Sequence, residues 1–111
     1  MEPKTLDEIR AVLRGMLPTL RAKYHVSSLA VFGSYVRHAA KESSDVDLLV
    51  SFSDPPGLLR FVELESLLSA RLGVKVDLVM RDALKPRVSR RVLVEAVPVG
   101  RPAQPVTTST I

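Results

Sequence analysis

Apolar and polar positions alternate in two different periods along this chain, and each period predicts an element. Leu6, Ile9, Val12, Leu13, Met16, Leu17 and Leu20 recur at helical spacing, which draws one apolar stripe down a helix. Thr5 stands ahead of the stripe as an N-cap, with Glu8 three residues on as its capping-box partner. Pro18 falls inside the stripe. Its ring removes a donor and crowds the preceding turn, so a kink or a second short helix is expected there. Ser28 to Phe32 is a short apolar run that reads as a buried strand, ended by Gly33-Ser34, and Ser34 to about Ala40 reads as a short helix. Val46 to Phe52 predicts a second strand and Asp54-Pro55-Pro56-Gly57 a turn. Leu58 to Leu72 then predicts an amphipathic helix, with Leu59, Val62, Leu68 and Leu72 among its inward candidates and Gly73 as its stop. Val74 to Met80 alternates as a third strand, with Val74, Val76, Leu78 and Met80 on one face and Lys75, Asp77 and Val79 on the other. Pro86 opens a last helix that runs to about Val97.

This order of elements predicts an α/β domain, with a small mixed sheet of at least three strands flanked by helices. The domain is expected over residues 1–98. Pro98, Pro102 and Pro105, followed by Thr107-Thr108-Ser109-Thr110, have no period, and residues 99–111 are expected to form a disordered tail. A chain of 111 residues can bury one core, without room for a separate substrate domain.

Composition narrows the class only a little. Hydrophobic residues at 46% and charged residues at 25% are ordinary for a soluble domain. The apolar stretches are a few residues long, against the roughly 20 that cross a bilayer, and no export signal stands at the start. The absence of cysteine removes disulfides and thiolate metal sites. A cytoplasmic protein without membrane contact is expected. The formal charge is +4, and the segment Arg81–Arg101 alone carries a surplus of four, with Arg81, Lys85, Arg87, Arg90, Arg91 and Arg101 against Asp82 and Glu95. A basic face of this kind suits a polyanion or an acidic protein, or it is simply a solvated helix face.

The candidate chemistry begins with Asp45 and Asp47, two apart at the head of a strand, so that both side chains leave one face. Asp77 lies in the next strand, where a neighbouring register would bring it beside them. Three carboxylates within about 5 Å repel by roughly 3 kcal/mol per pair at an effective dielectric near 20, so the fold needs a cation between them or a proton on one. Oxygen-only donors favour a hard ion, magnesium or manganese. The competing reading is a set of surface acids at strand ends. Gly33-Ser34 is the second element. A glycine after a strand lets backbone amides approach a ligand, a following helix N-terminus offers N–H groups to a phosphate, and the Ser34 hydroxyl adds a donor. Arg37, three residues on, could clamp a phosphate oxygen. Alone, a Gly-Ser turn is commonplace; beside a carboxylate pair it becomes a kit for metal-assisted phosphoryl chemistry.

Gly33-Ser34-Tyr35-Val36-Arg37 followed by Ser44-Asp45-Val46-Asp47-Leu48-Leu49-Val50 resembles the GSxxR…SDxDLLV signature of the minimal nucleotidyltransferases, within the DNA-polymerase-β-like superfamily. Val76-Asp77-Leu78-Val79 is similar to the strand bearing that family's third carboxylate, and Ala83-Leu84-Lys85-Pro86 with Glu95-Ala96-Val97 resembles its C-terminal helix. The resemblance covers residues 5 to about 98. The family often has glycine after the motif arginine, where this chain has His38.

The resemblance implies the polymerase-β-like fold and a magnesium-dependent nucleotidyltransferase. It implies that Gly33, Ser34 and Arg37 bind the triphosphate. Asp45, Asp47 and Asp77 would be both catalytic and metal-binding, with two Mg2+ ions (Mn2+ as a substitute), and Asp77 would help to deprotonate the acceptor. ATP is the implied donor of AMP, with pyrophosphate leaving. Relatives that modify small molecules carry an additional helical domain, so the acceptor is expected on another polypeptide. Family members of this size commonly pair with a HEPN-domain ribonuclease toxin and, as antitoxins, adenylylate one of its tyrosines. A hetero-oligomer with such a toxin is therefore expected, and direct nucleic-acid binding is not. Two other readings stay open: a binding antitoxin without catalysis, and a nucleotidyltransferase subunit that acts on a small molecule beside a separate helical subunit. Tyr35 is expected to be a packing residue.

Overall fold

The computed structural model describes residues 4–41 and 43–100. Helix α1 (Leu6–Tyr24) leads into strand β1 (Val26–Phe32), a single 3-10 turn at Gly33–Tyr35, and β2 (Val46–Phe52). Helix α2 (Leu58–Leu72), β3 (Val76–Met80), a second 3-10 turn at Arg81–Ala83, helix α3 (Pro86–Glu95) and β4 (Val97–Pro98) complete it. The strands lie in the order β3-β2-β1-β4. β2 and β3 are parallel, and β1 is antiparallel to both β2 and β4. Three helices and a four-stranded mixed sheet thus realise the expected α/β architecture. Among the described residues no helix is long and apolar enough to cross a membrane.

The capping box at Thr5 and Glu8 forms on both sides; Ile9, Leu13, Met16, Leu17 and Leu20 of the predicted stripe are buried, Leu6 and Val12 are partly buried, and Tyr24 extends the stripe by a further turn. Helix α1 does not give way to a second helix at Pro18, which lies inside it on the exposed side. The missing donor costs one backbone bond, while Leu17 and Leu20, each worth about 1.5–3 kcal/mol when buried, hold the helix to the sheet on either side of it. The main core joins this stripe to Leu29 and Val31 of β1, Val46, Leu48 and Val50 of β2, Val76 and Leu78 of β3, and Leu64, Leu68 and Leu72 of α2. Tyr24 donates to Glu63 (2.6 Å) and lies under the Arg60 guanidinium, which ties the end of α1 to α2.

Two features of α2 depart from expectation. Leu59 is 86% exposed and Val62 50%, so neither is an inward residue; the buried line is Leu64, Leu68 and Leu72. The polar residues Glu65 and Ser69 turn instead toward the sheet. β3 is an edge strand, and its outward N–H groups at Leu78 and Val76 donate to Glu65 Oε2 and Ser69 Oγ, both at 2.9 Å. Side chains of α2 therefore occupy two outward N–H groups of β3.

Helix α3 ends at Glu95, two residues before the expected Val97, and the chain then pairs Val97 and Pro98 with Val31 and Ala30 as a fourth strand. A proline lacks an N–H, which suits a two-residue edge strand and hides it from pattern reading. Val99 follows into the core, donating to the Leu29 carbonyl at 2.8 Å. The remainder of the expected tail, residues 101–111, lies outside the described residues.

Candidate active site

β1 delivers its C-terminal end, and β2 and β3 their N-terminal ends, to the same edge of the sheet. Phe32 pairs with Asp47 across the antiparallel β1–β2 ladder, and Asp47 pairs with Asp77 across the parallel β2–β3 ladder. Asp45 stands half-buried just before β2. The register brings Asp77 beside the pair from β2, as the spacing suggested.

Gly33 directly follows Phe32 and has φ +80°, a conformation that side chains other than glycine's rarely adopt. A Cβ at Gly33 would overlap the Asp47 carboxylate at Oδ2. The missing side chain is what lets the backbone of the turn and the acid of β2 come into contact. Arg37, Asp47 and Gly33 share the walls of a cleft of about 320 Å3 with Val88, Arg91 and Glu95 of α3. Ser34, Asp45 and Asp77 stand next to these residues but do not line that cleft. Tyr35 is buried in the core, as a packing residue would be.

The expected helix from Ser34 to Ala40 is only the 3-10 turn followed by a left-handed stop. His38 has φ +57°, its N–H donates to the Tyr35 carbonyl (3.4 Å), and the Ala39 N–H reaches the Ser34 carbonyl (2.9 Å). Those two bonds form a Schellman closure with His38 at the left-handed position. Glycine suits that position best, and His38 occupies it at a steric cost.

Asp47 carries the electrostatic signature of the site. Burial first, then the charges of Asp77 and Asp45, push its carboxyl up to about 6, against a smaller opposing pull from Arg37. Among the described residues no group of three His, Cys, Asp or Glu side chains is drawn together closely enough to hold a metal ion. The carboxylates share an edge and repel one another without closing on a common point. Their chemistry, three oxygen donors with mutual repulsion to be relieved, fits a hard divalent cation.

Glu95 was not among the site residues expected from the sequence. Its Oε2 accepts the Gly33 N–H at 2.7 Å, and its Oε1 accepts Arg37 Nη1 at 2.6 Å. Partial burial raises its carboxyl, but the Gly33 N–H and the Arg37 guanidinium outweigh that and hold it below the usual glutamate range. The Gly33 amide expected to be open to phosphate is therefore already engaged. One local signal was available. Glu95 is the last residue of a helix without a basic residue in its final turn, where the dipole disfavours an acid and a partner from elsewhere is needed.

Comparison with known proteins accords with this geometry. The Nucleotidyltransferase domain family matches residues 13–99. The protein adenylyltransferase MntA of Thermococcus cleftensis is 50% identical over 93 residues, covering 84% of this chain and 94% of that protein. A solved structure assigned to the minimal nucleotidyltransferases superposes with a TM-score of 0.72 at 40% identity, covering 86% of this chain and 96% of the other. An MNT antitoxin solved in complex with a tri-AMPylated HEPN toxin of Shewanella oneidensis shares the fold at 19% identity and a TM-score of 0.60, covering 82% of this chain and 71% of that one. By the family match over most of its length and by these relatives, this chain belongs to the nucleotidyltransferase-domain family, among its minimal members.

Proposed function

We infer that this chain is a protein adenylyltransferase antitoxin, which transfers AMP from ATP to a tyrosine hydroxyl of a partner HEPN ribonuclease toxin and so neutralises it. The observation that carries the reading is the contact between the Gly33 backbone and the Asp47 carboxylate, made possible by the absent side chain, with Asp77 paired to Asp47. It is supported by the adenylyltransferase that is half identical over most of this chain and by the AMPylated toxin held by a protein of the same fold.

In this reading Gly33, Ser34 and Arg37 hold the triphosphate at the mouth of the cleft. The tyrosine oxygen attacks the α-phosphorus, the bond from that phosphorus to the bridging oxygen breaks, and pyrophosphate leaves. The hydroxyl proton passes to Asp77, the exposed carboxylate of the three and so the one open to an incoming acceptor. Asp45, Asp47 and Asp77 would hold Mg2+, two ions or Mn2+ in their place. When bound, the metal supplies charge neutralisation of the phosphates and easier ionisation of a hydroxyl whose ordinary pKa is about 10. Arg37 orients the phosphate oxygens, and the close approach of the Gly33 backbone to Asp47, open only to a residue without Cβ, sets the phosphate cradle against the carboxylate edge.

The test is incubation of the chain with labelled ATP, magnesium and the HEPN protein. Label should appear on a toxin tyrosine, toxin ribonuclease activity should fall in step, and Asp47→Ala should abolish both. If Asp47→Ala neutralises the toxin as well as the parent does, catalysis is not the mechanism and a covering, non-catalytic antitoxin takes its place.

A further inference from the structure

Glu95 meets the signature turn in the manner of a ligand. One of its oxygens takes the Gly33 N–H and the other takes the Arg37 guanidinium, the donor pair that a phosphate group would use. The carboxylate reaches the turn from a distant part of the chain, 62 positions after Gly33. Within its own helix the dipole opposes an acid at the C-terminus, and only the charge of Arg91 acts in its favour. Helix α3 is lightly anchored, with Val92 its one buried residue. The pairing of Val97 and Pro98 with β1 holds the end of α3 beside the turn, and the Glu95 carboxylate uses that position to reach Gly33 and Arg37.

These donors cannot serve two anions at full strength. The Gly33 amide has one hydrogen and one direction, set by the backbone, and at 2.7 Å that hydrogen is committed to Glu95. A polyphosphate placed on the same donors would also set its negative charges beside those of Glu95 and Asp47. Arg37 is largely exposed, with 59% of its side-chain surface open, so it can follow a new partner. Arg91 lies one helical turn before Glu95, on the wall of the same cleft, within reach of a carboxylate that has swung away.

We propose that Glu95 is a resident anion of the cradle which an incoming polyphosphate must displace, so that this residue sets how much ligand charge the cradle demands. The proposal rests on the reading of Gly33 and Arg37 as the polyphosphate donors. A neutral or weakly charged nucleoside cannot compete for the donors, whereas a triphosphate can, and Glu95 is in this sense a specificity-determining residue.

Calorimetric titration of the full chain with ATP, inorganic triphosphate and adenosine, in the presence of magnesium, tests it. Glu95→Ala should bind ATP and triphosphate about tenfold more tightly than the parent, a change of about 1.4 kcal/mol, with Glu95→Gln between the two and adenosine unchanged. The glutamine variant keeps the shape and one acceptor, so it carries the test if the alanine variant fails to fold. A parent that binds ATP, with folded variants that bind it equally or less tightly, overturns the proposal and leaves the cradle reading intact; a purely structural role would weaken every ligand alike. If neither the parent nor the folded variants bind ATP or triphosphate, the cradle reading itself falls, and the proposal with it.

Discussion

Asp47 would be an ordinary aspartate if it were exposed, and its position in the sheet makes it the most strained charge of the site. In the folded chain it keeps its proton up to about pH 6, whereas an unfolded aspartate releases it near 3.8. The native state thus binds more protons between those values. The contribution of Asp47 to stability is fully present below about pH 4, is lost as pH rises through 6, and stays lost above it. Asp47→Asn removes the penalty. In metal-free buffer its melting temperature should exceed the parent's at pH 7–8, with the gap closing below about pH 4; parallel melting curves across that range would refute the account. His38 offers the second residue-scale prediction. A left-handed residue other than glycine costs roughly 1–2 kcal/mol, and glycine's own entropic loss returns part of that. His38→Gly should raise the denaturant midpoint by the equivalent of about 0.5–1 kcal/mol, and an unchanged or lower midpoint would show that the imidazole makes contacts that offset the strain. Asp45, Asp47, Gly33 and Arg37 were legible because strand alternation and a glycine-ended strand are local patterns. Glu95 was not, because it joins the site only when α3 folds back over the end of β1.

At the scale of elements, α2 shows how a helical period can be read in the wrong phase. Its apolar residues, Leu58, Leu59, Phe61, Val62, Leu64, Leu67, Leu68 and Leu72, spread over more than one face. Choosing Leu59 and Val62 as inward was a choice of stripe that the sequence leaves open. What settles the phase is polar. Glu65 and Ser69 must face the edge of β3 to take the N–H groups of Leu78 and Val76, and that rotation leaves Leu59 outside. No propensity scale signals that a glutamate and a serine serve a strand seven to thirteen residues later. Glu65→Ala should leave the Leu78 N–H without its partner at a cost of about 1–3 kcal/mol, read as a lower chemical-denaturation midpoint and faster hydrogen exchange at Leu78. An unchanged exchange rate would mean that water replaces the carboxylate at no cost. The fourth strand escaped notice for a related reason. Two residues ending in proline carry no alternation, and only pairing with Val31 and Ala30 makes them a strand.

Seen whole, the molecule puts its chemistry at one end of the sheet and keeps the other end for packing. The exposed Arg87, Arg90 and Arg91 add positive charge on α3, the helix that ends at Glu95. The fold class was legible because the order of helices and strands constrains the layers. The composition of the cleft was not, since its walls come from β1, the turn after it, β2 and the last helix of the chain's described part. The occupied amides of β3 have a consequence for how this protein can be gripped. Many proteins recruit a partner by letting it extend an exposed sheet with one more strand. Here one border of the sheet has two outward amides, at Val76 and Leu78, taken by Ser69 and Glu65, and among the described residues the other is a two-residue strand ending in a proline without an amide hydrogen. A strand added beside β3 must first displace both side chains, and a second copy of the chain meets the same obstacle there.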